Sequence, residues 1–279
     1  MANTLVQDLI EAGIHFGQRA SGWNPKMGPY IYGKRNGIHI IDIKETVKGL
    51  LLAKKFIAKS VASGKDIVFV GTKRQAKSVL EQRVGDAKMH YVTERWLGGT
   101  LTNFRTIRLR LKRLEELEAI QNSDNFASYS KKMESQLKRE LAKIKRNLDG
   151  IRKMEKLPGA LVVIDVKHEI TALKEARKLG IPTIALVDTD GDPELVDLPI
   201  PGNDDSMKSI DVVMRELCLA IADGRSARQM SGETAPAGGN EGGDASNAPG
   251  RGDRRSRRPQ TRAGELAGHD APAEGAAAQ

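Results

Sequence analysis

The chain is poor in sulfur and in rings. Cys218 is the single cysteine among 279 residues, which excludes a disulfide within the chain and any multi-cysteine metal site. It sits in an apolar run with no basic residue beside it, so packing is expected rather than reactivity, in a reducing compartment. Aromatic residues make up 4% of the chain. A core must therefore come from Ile, Leu, Val and Ala, and the 39% apolar content is enough for one. No apolar run approaches the length of a membrane span. The opening residues Met1 to Leu5 show no basic segment followed by an apolar one, so no signal peptide is expected. No segment matches G-x-x-x-x-G-K-[ST], and none sets G-x-G-x-x-G between a strand and a helix. His39, His90 and His168 have no serine or cysteine partner at a spacing that suggests a triad. Neither a catalytic constellation nor a cofactor is expected.

Positive charge is plentiful. The formal net charge is +9 and the isoelectric point about 9.6, which favours a polyanionic partner, nucleic acid ahead of an anionic membrane. Residues 104–156 hold 15 Lys and Arg against 8 Asp and Glu. Residues 224–279 are different: no lysine, no aromatic residue, and 8 Arg against 7 acids. That Gly-, Ala- and Pro-rich stretch buries too little apolar surface to offset chain entropy and is expected to be a disordered tail. Its cluster from Arg251 to Arg262 could fold onto a polyanion or attract one loosely.

The spacing predicts alternating strands and helices. Thr4 caps a helix over Leu5–Ala12, and residues 17–37 read as a long glycine-rich basic loop. Ile38–Ile41 is a strand, and Asp42 with Glu45 has capping-box spacing for a helix that ends at Gly64. Strands follow at Asp66–Val70 and His90–Val92, with a helix through Val84 between them. After residue 156, strands at Leu161–Ile164 and Thr183–Val187 flank a helix over His168–Leu179. A last helix, capped by Asp205 or Ser206, carries Ile210, Val213, Leu217 and Ile221 on one face. Such alternation predicts an α/β fold, a doubly wound parallel sheet over residues 1–103 and 157–223. Residues 104–156 form an inserted pair of long amphipathic helices, an antiparallel coiled-coil hairpin broken at Asn122–Asn125.

One stretch organises the rest. Thr93 to Arg105 packs a tryptophan, paired glycines, two arginines and several amide and hydroxyl donors into an irregular loop before the longest helical segment. Functional residues concentrate in loops held between rigid elements. Arg95-Trp96-Leu97-Gly98-Gly99-Thr100-Leu101-Thr102-Asn103-Phe104 resembles the signature loop of the S-two family, the second protein of the bacterial small ribosomal subunit. Ala12-Gly13-Ile14-His15-Phe16-Gly17, Trp23-Asn24-Pro25-Lys26-Met27 and Pro199-Ile200-Pro201-Gly202-Asn203-Asp204-Asp205 match the same family, in order, over roughly residues 4–223. The resemblance implies a flavodoxin-like sheet with a projecting hairpin. It also implies a ribosome-bound, cytoplasmic structural protein of translation. Its partners would be small-subunit ribosomal RNA and other subunit proteins, and it would help recruit the large mRNA-binding protein S-one, with neither a membrane nor a second copy of itself as partner.

Read residue by residue, the chemistry agrees. Lys73, Arg74 and Lys77 follow one strand end, Arg95, Arg105 and Arg108 lie at the root of the arm with Asn103, and Lys26, Lys34 and Arg35 lie in the first glycine-rich loop. Guanidinium forks and ammonium groups suit phosphate oxygens, and scattered cations with few aromatics suit folded RNA read by shape. Trp96 either plugs the joint between sheet and arm or stacks on a base. Asp165, Asp188, Asp190, Asp192, Asp204 and Asp205, with His15, could hold a hydrated ion. Turn and cap roles outweigh that reading, no metal is expected, and Gln18 stands where the family often has a second histidine. Two other classes remain. A phosphohydrolase would use Asp42, Asp165 or Asp188, and a scaffold would bind only proteins through the hairpin.

Overall fold

The computed structural model of the chain describes residues 2–122 and 130–233. The first helix, α1 (Ala2–Glu11), starts earlier than expected, so Thr4 lies inside it. The stretch expected to be a loop holds two strands. β1 (Phe16–Arg19) and β2 (Ile31–Arg35) flank β3 (Ile38–Ile41) in an antiparallel sheet of order β1-β3-β2. The two residues between β2 and β3, Asn36 and Gly37, both have positive φ, 50° and 77°. That is the Asn-Gly hairpin turn whose twist matches its strands. Ile38–Ile41 therefore belongs to this small sheet, not to the parallel one.

The main sheet is parallel. β4 (Ile67–Val70), β5 (His90–Val92), β6 (Ala160–Ile164), β7 (Thr183–Val187) and β8 (Leu198–Pro201) lie in the order β5-β4-β6-β7-β8. Numbered among themselves, these strands run 2-1-3-4-5, the order of flavodoxin-like sheets, with a switch point between β4 and β6. β8 was not legible in the sequence because Pro199 and Pro201 interrupt it. It lies at the sheet edge, paired only to β7, where a missing N–H is tolerated.

Helices cover both faces, so the strands are apolar on both sides. Ile67, Phe69, Val162, Ile164, Ile184 and Leu186 point into a core closed by α2 (Ile43–Ala62), α3 (Arg74–Asp86) and α7 (Met207–Glu233). Val68, Val70, Leu161, Val163, Ala185 and Val187 point the other way, into a core shared with α6 (Ile170–Lys178) and with Trp96 and Leu101. The two-residue period of a strand assigns alternate residues to alternate cores. Asp42 and Ser206 cap their helices, although the reciprocal Glu45 bond of a capping box is not made: Glu45 pairs with Lys48 instead. Asp42 accepts from the Lys44 N–H at 2.9 Å, and Ser206 Oγ accepts from the Ser209 N–H at 3.4 Å.

Between β5 and β6 the chain forms α4 (Phe104–Gln121) and α5 (Lys131–Leu148). Ile107, Leu111, Leu114 and Leu117 are buried along one side of α4. Arg113 of α4 reaches Glu140 of α5 at 3.3 Å, so the helices lie side by side. From residue 123 on, the expected polar break lies outside the described residues. Just after α5, Gly150 rests against β5 so closely that a Cβ there would overlap the Tyr91 carbonyl oxygen.

The last helix runs on past Asp223, where the tail was expected to begin. α7 continues to Glu233, because Gly224 fits against α2, where a Cβ would come within 2.6 Å of the Ala58 carbonyl oxygen. Arg225 then donates to the Lys88 carbonyl at 3.2 Å. The remainder of the expected tail, 234–279, lies outside the described residues. No helix among the described residues is long and apolar enough to cross a membrane.

Candidate nucleic-acid interface

The loop from Thr93 to Asn103 is wound around a carboxylate that sequence reasoning missed. Glu175, on α6, is 8% exposed. Its Oε1 accepts from Trp96 Nε1 at 3.2 Å and from the Gly99 N–H at 2.7 Å. Its Oε2 accepts from the N–H groups of Leu101 and Thr102 at 3.0 and 3.1 Å, and from Thr102 Oγ1 at 3.2 Å. Burial pushes this carboxyl up, but the donors of Gly99, Thr102, Leu101 and Trp96 outweigh it and hold it below the usual glutamate range. Gly99 adopts φ 91°, a left-handed conformation that turns its N–H to the carboxylate at no steric cost. Trp96 is 7% exposed and lies in the core beneath the loop. Its ring is a plug between sheet and arm, and its indole N–H is already spent on Glu175. A signal for Glu175 existed: it falls in the apolar stripe of α6, between Ala172 and Ala176.

With the loop fixed, its cations turn outward. Arg95 and Arg105 are exposed, and neither meets an acid among the described residues. Lys34 and Arg35 on β2, and Arg74 at the start of α3, are likewise exposed without an acidic partner there. Arg108 is half-buried and donates to the Met154 carbonyl at 3.0 Å, tying the root of α4 to the chain leaving α5. Asn103 is exposed, and its Oδ1 accepts from the Thr106 hydroxyl at 2.8 Å. Three other predicted cations are engaged by the protein itself. Lys26 bridges Asp192 at 3.0 Å and Glu194 at 2.5 Å, which raises its pKa through those two hydrogen bonds. Lys77 pairs with Glu94, which also holds Arg146 at 2.7 Å. Lys73 is the third.

Lys73 stands at the switch point of the sheet, where flavodoxin-like folds bind ligands. Its Nζ lies 2.7 Å from Asp204, 2.5 Å from Asp205 and 3.5 Å from Asp165. Burial opposes its charge, but the carboxylates outweigh burial and raise its pKa. Asp204 is pushed up to about 8 by burial and by repulsion from Asp165 and Asp188. Burial likewise raises Asp188 to about 6, against the Thr189 N–H it accepts. Beside them, Glu169 accepts from the Thr72 N–H and hydroxyl at 3.2 and 2.5 Å. The crevice is thus lined with acids and repels a phosphate. Oxygens of Asp188, Asp204 and Asp205 lie within 4.8 Å of one another, a spacing an ion could bridge. The ammonium of Lys73 already meets Asp204 and Asp205, and the Gln18 amide also donates to Asp205. His15 is not part of that acidic group; its Nδ1 is buried without a hydrogen-bond partner among the described residues. Asp42 caps α2, and Asp165 accepts from the N–H groups of Lys167 and His168, so two of the three residues considered for hydrolysis serve as a cap and a turn.

A family model described as Ribosomal protein S2 matches residues 9–224. The chain belongs to the ribosomal protein S2 family. It is 55% identical over 236 residues to the small ribosomal subunit protein uS2 of Rhodopirellula baltica, a match covering 85% of this chain and 90% of that one. It is 46% identical over 225 residues to the uS2 protein of Syntrophobacter fumaroxidans, covering 81% and 82% of the two chains. The match to the uS2c protein of Rhodomonas salina is 46% over 231 residues, covering 83% and 95%. Membership of the S2 family makes the chain a structural, non-enzymatic component of the small ribosomal subunit, acting in translation.

Proposed function

We propose that the chain binds small-subunit ribosomal RNA through the Thr93–Arg105 loop, the root of the helix pair and the β2 hairpin. The observation that carries this reading is the sorting of cations. Arg95, Arg105, Arg74, Lys34 and Arg35 are exposed and unpaired among the described residues, whereas Lys26, Lys73 and Lys77 are neutralised internally. An unpaired guanidinium on a rigid loop keeps its donors for phosphate oxygens. Lys26, Lys73 and Lys77 then act mainly by shaping the interface, Trp96 by supporting it, and Arg108 and Asn103 by fixing the root of α4.

The α/β platform, residues 1–103 and 157–223, serves as a flavodoxin-like mount. Residues 104–156 form an antiparallel coiled-coil hairpin that reaches along or between RNA helices. The protein works as a single copy on the cytoplasmic ribosome and helps recruit S-one, a role that rests on the family resemblance alone. Binding of the full chain to deproteinised small-subunit RNA, measured across a salt series, tests the reading. A steep fall of affinity with salt is expected, since each phosphate contact releases counterions. Affinity that is flat with salt, or equal for an unrelated RNA of the same length, would overturn it.

A further inference from the structure

A cavity of about 580 Å³ opens between the signature loop and the arm. Leu97, Ile107, Ile144 and Leu148 form its apolar side, with Ile107 and Leu148 buried. Its rim is polar and cationic. Asn103 gives its oxygen to Thr106 at 2.8 Å, which leaves its NH₂ group open among the described residues. Asn147 gives its NH₂ to the Lys143 carbonyl at 3.0 Å, which leaves its oxygen open. Arg110 and Lys143, both on the rim, are exposed and meet no acid among the described residues. Glu140, the one acid there, is held by Arg113 at 3.3 Å. Gly98 leaves the mouth clear, since nothing lies within 4 Å of where its Cβ would be.

We infer that this cavity takes one unstacked base of the bound RNA. The inference rests on the RNA-binding reading above and adds to it a site for a single nucleotide. An extruded base has two apolar faces and an edge that offers both a donor and an acceptor. The cavity offers an apolar wall, one open donor on Asn103 and one open acceptor on Asn147. The Arg110 guanidinium supplies a plane to stack on, and Lys143 stands where the sugar–phosphate must pass. The polar, cationic rim favours a base over an apolar side chain of a protein neighbour, which would use neither the open amides nor the two cations. The volume falls within the range of small-ligand pockets, and one base with its ribose fits inside that range.

The test uses assembled small subunits carrying the full chain. Dimethyl sulfate and a carbodiimide read base edges, and hydroxyl radicals read the RNA backbone. One base is expected to be shielded in subunits with the native chain. It should become roughly five- to tenfold more reactive with Asn147→Leu, the range set by losing one hydrogen bond. Ile144→Phe fills the cavity from its apolar side and should expose the same base, so the result does not hang on one variant folding; melting curves check both. If the backbone is shielded but no base changes between native and both variants, the cavity holds no base and the wider RNA reading stands. If native subunits show no backbone shielding near this chain, the RNA reading fails and takes this site with it.

Discussion

The switch-point crevice and the root of the arm carry the same kinds of charge and use them in opposite ways. In the crevice, Lys73 is surrounded by Asp165, Asp204 and Asp205. At the arm root, Arg95, Arg105, Arg110 and Lys143 meet no acid among the described residues. Sequence alone makes both places basic and loop-like. The difference lies in distant acids, Asp204 and Asp205, which the fold brings back to Lys73 from over a hundred residues away. A cation is available to a partner only where the fold withholds its own carboxylates.

That contrast can be broken from either side. The largest effect is expected at the arm root. Glu175→Ala removes the acceptor of Trp96, Gly99, Leu101 and Thr102 and should lower stability by about 3–5 kcal/mol. It should also abolish RNA binding, because the loop loses its shape; urea titration with a filter-binding assay reads both. Lys73→Met comes next. It strands partly buried carboxylates and should lower stability by about 3 kcal/mol, with the salt dependence of RNA binding unchanged. A shallower salt slope in that variant would place Lys73 on the RNA after all. Arg95→Glu with Arg105→Glu should do the reverse. The melting temperature stays put while the slope of log affinity against log salt drops by roughly two contacts.

The smallest effect is in pH. Asp204 titrates at about 8 in the folded chain, far above its ordinary value, so the folded form holds a proton that the unfolded form has released. That stabilisation is complete at low pH and is lost as pH rises through 8. The melting temperature should fall by a few degrees from pH 7 to pH 9, and Asp204→Asn should flatten the curve.

Much of the architecture was legible. Apolar runs at Ile67–Val70, Leu161–Ile164 and Thr183–Val187 read as buried parallel strands because both faces are covered. β8 was hidden by Pro199 and Pro201, which only an edge position tolerates. β1 and β2 were hidden by glycine and charge, although Asn36-Gly37 was a hairpin signal standing in plain view. At the site, the signature loop was legible as a location, and its outward arginines followed from composition. What was not legible was pairing. Glu175 lies 76 residues beyond Gly99 in sequence, and the acids on Lys26 and Lys73 come from the loops around β8 and, for Asp165, from the end of β6. Long-range electrostatics leave no mark on local spacing. Only an acid inside an apolar stripe, as at Glu175, betrays itself.

Gly150 gives the arm its aim. The chain leaving α5 is seated on β5 with no room for even a methyl group beside the Tyr91 oxygen. α4 has 18 residues, a lever of about 27 Å. Wedging its root by some 10° would swing the far end through about 5 Å, close to the length of one helical turn. Reach and direction in this molecule therefore depend on a fulcrum, and the fulcrum works because one position has no side chain at all.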